Sequence, residues 1–250
     1  MLIPGLLKTL VFTVNTMSTN VPNSIGVIPD GNRRYSEKTN QPVEAAYLAG
    51  FRKVEESIDW AISGGINSIS YWALSIDNFK NRSQFELSIL FGLMQAQARH
   101  AISSKQYEQK GAKIRFFGET NMLPESLQKD FNALEQSTAK NNALELNIGV
   151  AYGGRDEVLQ AAKRLAQDSL KGIVDPAQVD ERKFSEYFYL QTPPDLVIRT
   201  GGMQRLSGFM PWHTGYSELF FSQKYWPEFQ HADFKQALDY YSAVKRNFGK

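Results

Sequence analysis

The stretch SIGVIPDGNRR, residues 24–34, decides the fold: a short apolar run ends in a turn that packs one carboxylate, one amide and two guanidiniums together. Such a run reads as a buried strand, and a polar cluster just beyond it marks the side of an open α/β sheet where ligands bind. Five further β-branched or aromatic runs occur at residues 68–74, 113–118, 145–151, 195–199 and 218–221. Amphipathic stretches with helical spacing lie between them at 42–64, 85–110, 124–141, 155–170 and 183–190, and a last one covers 233–247. This alternation predicts an α/β fold with a mostly parallel six-stranded sheet flanked by helices.

A chain of 250 residues with 42% hydrophobic composition can bury one sizeable core. No repeat, low-complexity tract or Pro/Gly-rich linker divides it, so residues 24–250 are expected to form a single domain. Residues 1–23 read as an apolar leader, either flexible or brushing a membrane surface, in preference to a cleaved signal, since Pro4, Lys8, Thr9, Thr13 and Asn15 interrupt the apolar run. The absence of cysteine excludes disulfides, thiolate metal sites and a cysteine nucleophile, and fits a cytoplasmic protein. A net charge of +2, from 28 basic and 26 acidic residues, gives no reason to expect a nucleic-acid partner. His100, His213 and His231 are too far apart to form a helical metal pair.

Three stretches carry chemistry. In IPDGNRR, residues 28–34, Asp30 offers a carboxylate of the kind that holds Mg²⁺ beside substrate phosphates, Gly31 allows a tight turn, and Arg34 presents a planar fork to phosphate oxygens. An ordinary Asp-Gly turn with solvated arginines is the competing reading. In DLVIRTGGMQRLSGF, residues 195–209, a strand runs into Gly201 and Gly202 with Arg199, Arg205 and Ser207 close by, an inventory suited to a diphosphate. Here the alternative is a glycine-rich loop whose arginines pair with surface acids. In WHTGYSELFF, residues 212–221, Glu218 enters an apolar strand, where it needs a partner or a metal unless it faces water at a sheet edge. Two anion sites with two carboxylates suggest two phosphorylated substrates that share a metal.

Weaker signals accompany these. AYGGRDEV, residues 151–158, reads as a structural tight turn, because it lacks the spacing of a dinucleotide or P-loop motif. LSIDNFKNRS, residues 74–83, places Asn78 where it could line the same cleft, or else supplies a helix cap at Asp77 or Ser83. Trp72, Phe91, Phe116 and Phe117 suit either a core or the wall of an apolar tunnel.

In this order and spacing the three motifs resemble the cis-prenyltransferase family, the undecaprenyl diphosphate synthase-like enzymes, from about Ser24 to Gly249. The resemblance implies condensation of an allylic diphosphate with isopentenyl diphosphate to form a Z double bond, with Mg²⁺ as cofactor and a homodimer as the assembly. It further implies that Asp30 binds Mg²⁺ and assists departure of the allylic diphosphate, with Gly31, Asn32, Arg33, Arg34 and Tyr35 around that group. Arg199, Arg205 and Ser207 would hold the second diphosphate, Glu218 would reach the metal from a neighbouring part of the sheet or subunit, and Asn78 would stand near the proton-transfer step. Ser75, Phe79 and Arg82 would complete the substrate-binding set.

The chain departs from the family pattern at several positions. Tyr35 and Phe79 replace tryptophans, and Val43 and Tyr47 stand in place of an arginine and a histidine. Arg82 is one place off, Gln204 replaces a histidine, Met203 replaces an acid, and the closing R-x-G is N-x-G at residues 247–249, with Arg246 as a substitute. These changes point to a divergent branch. They leave head-to-middle coupling of dimethylallyl-type units, giving lavandulyl-type skeletons, as a second enzyme reading. A non-catalytic accessory subunit is the reading of another class, opposed by retention of Asp30, Arg34 and Glu218.

Overall fold

The computed structural model describes residues 20–245. Residues 1–19 of the expected leader, and Arg246 with the N-x-G segment, lie outside the described residues. The chain begins with β1 (Ser24–Ile28), α1 (Asn32–Thr39), α2 (Val43–Ser63), β2 (Ser68–Ser75) and α3 (Ile76–Asn81). It continues through α4 (Gln84–Ser104), α5 (Gln106–Gln109), β3 (Ala112–Phe117), α6 (Glu125–Thr138), β4 (Leu144–Tyr152) and α7 (Gly154–Leu170). The last elements are α8 (Glu181–Ser185), β5 (Leu196–Arg199), β6 (Glu218–Phe221) and α9 (His231–Ala243). Every strand pairing is parallel, in the order β3-β4-β2-β1-β5-β6.

The expected strands are all present, each within a residue or two of its predicted bounds. The helices differ more. Residues 85–110, read as one helix, split at Lys105, whose φ of 55° ends α4 in the left-handed region and leaves α5 as a separate turn. The stretch 183–190 forms only the short α8. Two helices were not expected. α1 contains no buried residue and so has no apolar period to reveal it, while α3 is a six-residue turn capped by the Ser75 side chain. The cap expected at Asp77 or Ser83 falls at Ser83, which accepts from the backbone N–H of Glu86 and starts α4.

Along each strand side chains alternate between the two faces. Ile25, Val27, Ile69, Tyr71, Ile114, Leu146, Leu196 and Ile198 face the larger core beneath α2, α4, α6 and α9. Ile28, Phe117, Tyr152 and Val197 face a smaller cluster that includes Leu190, Phe209 and Met210. From β1 the chain crosses to β2 on one side, and from β5 it moves to β6 on the other, so the carboxyl ends of β1 and β5 flank a topological switch point.

One buried acid anchors the smaller cluster. Glu157 on α7 accepts from the Tyr152 hydroxyl at 2.5 Å and from the Tyr189 backbone N–H at 2.9 Å. Burial pushes its carboxyl above the usual range, and these two hydrogen bonds only partly oppose the shift. The folded chain therefore binds this proton more tightly than the unfolded chain, whose carboxyl titrates near ~4.3. Stability from this group is fully present below that value and is lost as pH rises through the raised one. Urea midpoints of wild type and Glu157→Gln, compared from about pH 4 to about pH 8, should diverge with the wild type losing ground as pH rises. Parallel curves would show that this carboxyl does not titrate from a buried state.

Candidate functional site

Asp30 lies just beyond β1, at the switch point, where its surroundings are set by three strand ends. Its backbone oxygen accepts from the Thr200 hydroxyl at 2.8 Å and from the Trp226 N–H at 3.0 Å, which ties the turn to the ends of β5 and β6. Its carboxylate is held on both sides: Oδ1 accepts from Arg34 Nη2 at 3.0 Å, and Oδ2 from Arg199 Nη2 at 2.8 Å. Arg34 also donates to the Gly201 oxygen at 2.8 Å, and its guanidinium lies 5.3 Å from the Tyr225 ring centroid. Gly31 has φ 107°, and an added Cβ there would lie 2.6 Å from the Tyr225 ring, so the turn that starts α1 requires glycine.

Arg199 is the most enclosed charge of the group, with its side chain 6% exposed. It donates to Ser207 Oγ at 2.8 Å and to the Arg205 backbone oxygen, yet its Nε has no partner among the described residues. A buried donor left unpaired marks a place where a water or ligand oxygen belongs. Ser207 itself has φ 53°, a strained conformation for a residue other than glycine, of the kind found at binding sites.

A second polar group stands on the opposite wall. Arg82 packs its guanidinium over Tyr47, 5.7 Å from the ring centroid, and pairs with Glu86 at 3.5 Å. The Tyr47 hydroxyl donates to Glu86 at 2.7 Å, and Arg33 approaches the same carboxylate at 4.0 Å. Burial, followed by the bond to Glu86, pushes the Tyr47 phenol up to about 12. Tyr47 thus remains a neutral platform that holds the Arg82 cation towards the opening.

These two walls bound the mouth of a cavity of about 640 Å³ that runs between the larger-core face of the sheet and helices α2, α4 and α6. Asp30, Gly31, Asn32, Arg33, Arg34, Ser75, Asn78, Arg82, Arg199 and Ser207 all line it, so most of the expected site residues meet at one opening. Below them the wall is apolar, formed by Phe51, Val54, Leu90, Met94, Leu134 and Ile148 among others. Were this volume an empty packing defect, about 24 cal/mol per Å³ would make it cost about 15 kcal/mol, as much as the whole stability of a domain. The volume is therefore a built space that takes an apolar occupant or solvent.

Four expected residues do not line it. Tyr35 lies on α1 away from the opening, and Phe79 turns to Phe91, 6.0 Å between ring centroids. The Arg205 side chain is exposed, with Nη1 3.6 Å from Met203 Sδ, while its backbone oxygen serves Arg199. Glu218 pairs in register with Leu196 at the amino end of the sheet, whereas Asp30 follows the carboxyl end of β1. Of the two routes expected for Glu218, the one through the same sheet is closed by this register.

Sequence reasoning missed Trp226, whose Nε1 donates to the Gly50 oxygen at 2.9 Å and whose ring lines the cavity. It also missed Gly50, Phe51, Val54 and Glu55, which continue along α2 from Tyr47. The only available signal was helical spacing, which a core-facing stripe shares. Of the four aromatics, Trp72 and Phe116 line the cavity, Phe91 packs on the larger core, and Phe117 belongs to the smaller cluster. The AYGGRDEV stretch is structural: a Cβ on Gly154 would lie 2.2 Å from the Gly208 oxygen.

Among the described residues no cluster of three metal-ligating side chains exists. Asp30 is nonetheless a hard oxygen donor at the mouth, and Mg²⁺ commonly takes one or two carboxylates with the remaining oxygens from phosphate and water. The residues thus fit a metal that arrives with a diphosphate, not one held in an all-protein cage.

Residues 28–249 match the family described as putative undecaprenyl diphosphate synthase. The chain is 36% identical over 231 residues to the tritrans,polycis-undecaprenyl-diphosphate synthase (geranylgeranyl-diphosphate specific) of Thermoplasma volcanium, covering 92% of this chain and 89% of that one. It is 36% identical over 230 residues to the corresponding GGDP-specific enzyme of Sulfolobus acidocaldarius, covering 91% and 88%. Among solved structures it is similar to lavandulyl diphosphate synthase from Lavandula x intermedia in complex with dimethylallyl diphosphate. That likeness has TM-score 0.88, 31% identity and coverage of 92% and 99%. It is also similar to a probable undecaprenyl diphosphate synthase from Campylobacter jejuni, with TM-score 0.77, 26% identity and coverage of 92% and 100%.

Because the Asp30 carboxylate occupies both Arg34 and Arg199, it competes with any metal-free anion for them. Calorimetric titration with inorganic diphosphate in the absence of metal should show Asp30→Ala binding roughly tenfold more tightly than wild type, the scale of one charge-assisted hydrogen bond. Arg199→Ala should bind at least as much more weakly. Weaker metal-free binding by Asp30→Ala would remove the competition.

Proposed function

Given that the chain belongs to the undecaprenyl diphosphate synthase family and is a prenyltransferase, we propose that it elongates an allylic diphosphate with isopentenyl diphosphate, forming Z double bonds. The observation that carries this reading is the Asp30–Arg34–Arg199 cluster at the mouth of a deep apolar cavity. A diphosphate finds cations there, and the hydrocarbon tail attached to it finds an apolar wall below.

In this reading the allylic diphosphate lies over residues 31–34, where the first turn of α1 turns its backbone N–H groups outward and Arg34 offers its fork. Arg33 and Arg82 stand beside it, Arg82 kept in place by Tyr47 and Glu86. The homoallylic diphosphate takes the free Nε of Arg199 together with Ser207, and the exposed Arg205 side chain folds in over it. The C1–O bond of the allylic substrate breaks, its C1 joins the terminal alkene carbon of isopentenyl diphosphate, and a proton leaves C2 of that unit. Ser75 and Asn78, at the start of α3, stand at the mouth where that proton departs. Mg²⁺, which Asp30 would hold, supplies charge neutralisation for the departing diphosphate. Holding both partners in one opening lowers the entropic barrier to the carbon–carbon bond.

The half-buried apolar residues of edge strand β6 support a homodimer, in which Glu218 acts from the second subunit. Among the described residues no helix is long and apolar enough to cross a membrane, which is compatible with a cytoplasmic enzyme that touches membranes only at its surface.

Head-to-middle coupling is the second reading, favoured by the likeness to lavandulyl diphosphate synthase. Cavity size favours elongation. If each methylene-sized group takes the ~30 Å³ of a water molecule, a five-carbon unit fills about 150 Å³ and the cavity holds about four such units. Coupling of two five-carbon substrates needs about half of that.

Mass spectrometry of products made with Mg²⁺ and an allylic diphosphate should show material that requires isopentenyl diphosphate; product from dimethylallyl diphosphate alone would establish the irregular reaction instead. Asp30→Ala should lose about 10²–10³ in turnover with the far-ultraviolet spectrum unchanged, and unchanged turnover would sink its role. Arg205→Ala should raise KM for isopentenyl diphosphate about tenfold and leave that for the allylic substrate nearly constant; an equal change in both would undo the assignment.

A further inference from the structure

α1 carries Arg33 and Arg34 to the mouth yet buries none of its side chains, so no buried residue anchors the helix that presents them. Its Arg34 face lies instead on one aromatic ring. The Tyr225 ring takes the Arg34 guanidinium at 5.3 Å from its centroid and the Lys38 ammonium at 5.6 Å, two cations one helical turn apart on α1. Just before the same helix the ring closes on Gly31, where an added Cβ would lie 2.6 Å from it.

The ring is itself held in place by the chain around it. The Tyr225 N–H donates to Glu228 Oε2 at 3.2 Å, and Glu228 Oε1 accepts from Lys38 Nζ at 2.5 Å, so the acid that fixes the backbone of Tyr225 also fastens the far end of α1. The neighbours of Tyr225 reach both sides of the switch point. The Lys224 backbone oxygen accepts from the Gly201 N–H at 2.7 Å, and the Trp226 N–H donates to the Asp30 backbone oxygen at 3.0 Å. Tyr225 therefore stands between the Asp30 turn and the glycine loop after β5, tied to each by the residue next to it.

We propose that Tyr225 is a positioning residue for the allylic diphosphate, acting through Arg34. The proposal rests on the reading above that Arg34 holds that group. Three contacts hold Arg34: the Asp30 carboxylate, the Gly201 backbone oxygen and the Tyr225 ring. An arriving diphosphate competes mainly with the first, which is the one formal charge among them. Once Asp30 turns to a cation, the Gly201 bond still fixes one corner of the guanidinium and the ring still supports it, so the fork keeps its aim and its full charge. An aliphatic side chain at 225 would fill the same space and leave the fork free to swing.

Calorimetric titration of the full chain with dimethylallyl diphosphate, in a metal chelator that prevents turnover, tests this. Tyr225→Leu should weaken binding about fivefold, whereas Tyr225→Phe, which keeps the ring, should stay within about twofold of wild type. On an Arg34→Ala background Tyr225→Leu should change binding by less than about twofold, because the ring then has no fork to aim. Fluorinated phenylalanines at position 225 keep the shape of the ring while draining negative charge from its face, so affinity should fall with each added fluorine. That series also decides the matter if the leucine variant fails to fold. Equal losses from Tyr225→Leu with and without Arg34, or a flat fluorine series, would reduce the residue to packing and overturn the proposal while leaving the diphosphate assignment standing. If Arg34→Ala binds dimethylallyl diphosphate as wild type does, the placement of the allylic group on Arg34 fails, and the proposal with it. The comparison does not depend on whether coupling is regular or head-to-middle, since both readings take an allylic diphosphate.

Discussion

The rest of the site depends on one charge arrangement: the Asp30 carboxylate held between Arg34 and Arg199 across the switch point of the sheet. Each partner belongs to a different part of the chain. Arg34 is carried by α1 after β1, Arg199 ends β5, and the Thr200 hydroxyl and the Trp226 N–H fix the backbone of Asp30 from the other side. The charged opening is thus a consequence of parallel topology, which brings the ends of β1 and β5 together although 169 positions separate Asp30 from Arg199 in the chain. A guanidinium as enclosed as that of Arg199 needs a counter-charge, and in the free protein Asp30 supplies it. In the proposed reading a diphosphate takes over that role and releases Asp30 for a cation, which would link anion and metal binding through one carboxylate.

Beneath this opening the architecture resolves a conflict between stability and capacity. A space of about 640 Å³ next to the main core removes side-chain contacts that the fold would otherwise have. The walls compensate by being stiff. Phe116 and Phe131 stack with centroids 3.7 Å apart, Trp226 stacks on Phe229 at 5.7 Å, and the Tyr71 hydroxyl is bonded to Ser57 in the buried layer. The central strands β1 and β2, buried on both faces, carry the load that the cavity does not.

What could be read from the sequence follows from where apolar periodicity is strong. β1 and β5 were legible because a strand buried on both faces shows as a continuous apolar run, the other strands by their β-branched and aromatic residues, and α2, α6, α7 and α9 because one face is apolar. α1 was invisible for the opposite reason, since its role is to present Arg33 and Arg34 and it buries nothing. The Lys105 break was invisible because the helical spacing continues across it, and only the positive φ separates α4 from α5. In the site, residues that follow strand ends were legible: Asp30, Arg34, Arg199 and Ser207 all meet at the mouth. Glu218 was harder, because a mostly parallel sheet leaves open whether the last strand runs parallel or antiparallel to its neighbour, and so which end of the sheet its first residue occupies. Only the register, Glu218 beside Leu196, places it away from Asp30.

The departures from the family pattern gain a physical meaning from the Tyr47 wall. Valine and tyrosine at positions 43 and 47 stand where the family pattern has an arginine and a histidine, which leaves this wall with fewer cations than that pattern. Arg82, displaced by one place along the chain, brings a guanidinium back to that wall, supported by the Tyr47 ring beneath it and by Glu86 beside it. An aromatic platform can hold a cation without neutralising it, whereas Glu86 takes up part of its charge. The net field at this wall is therefore softer than two free cations would make it. In the proposed reading, selectivity among allylic substrates would then fall more heavily on the apolar depth of the cavity than on its mouth.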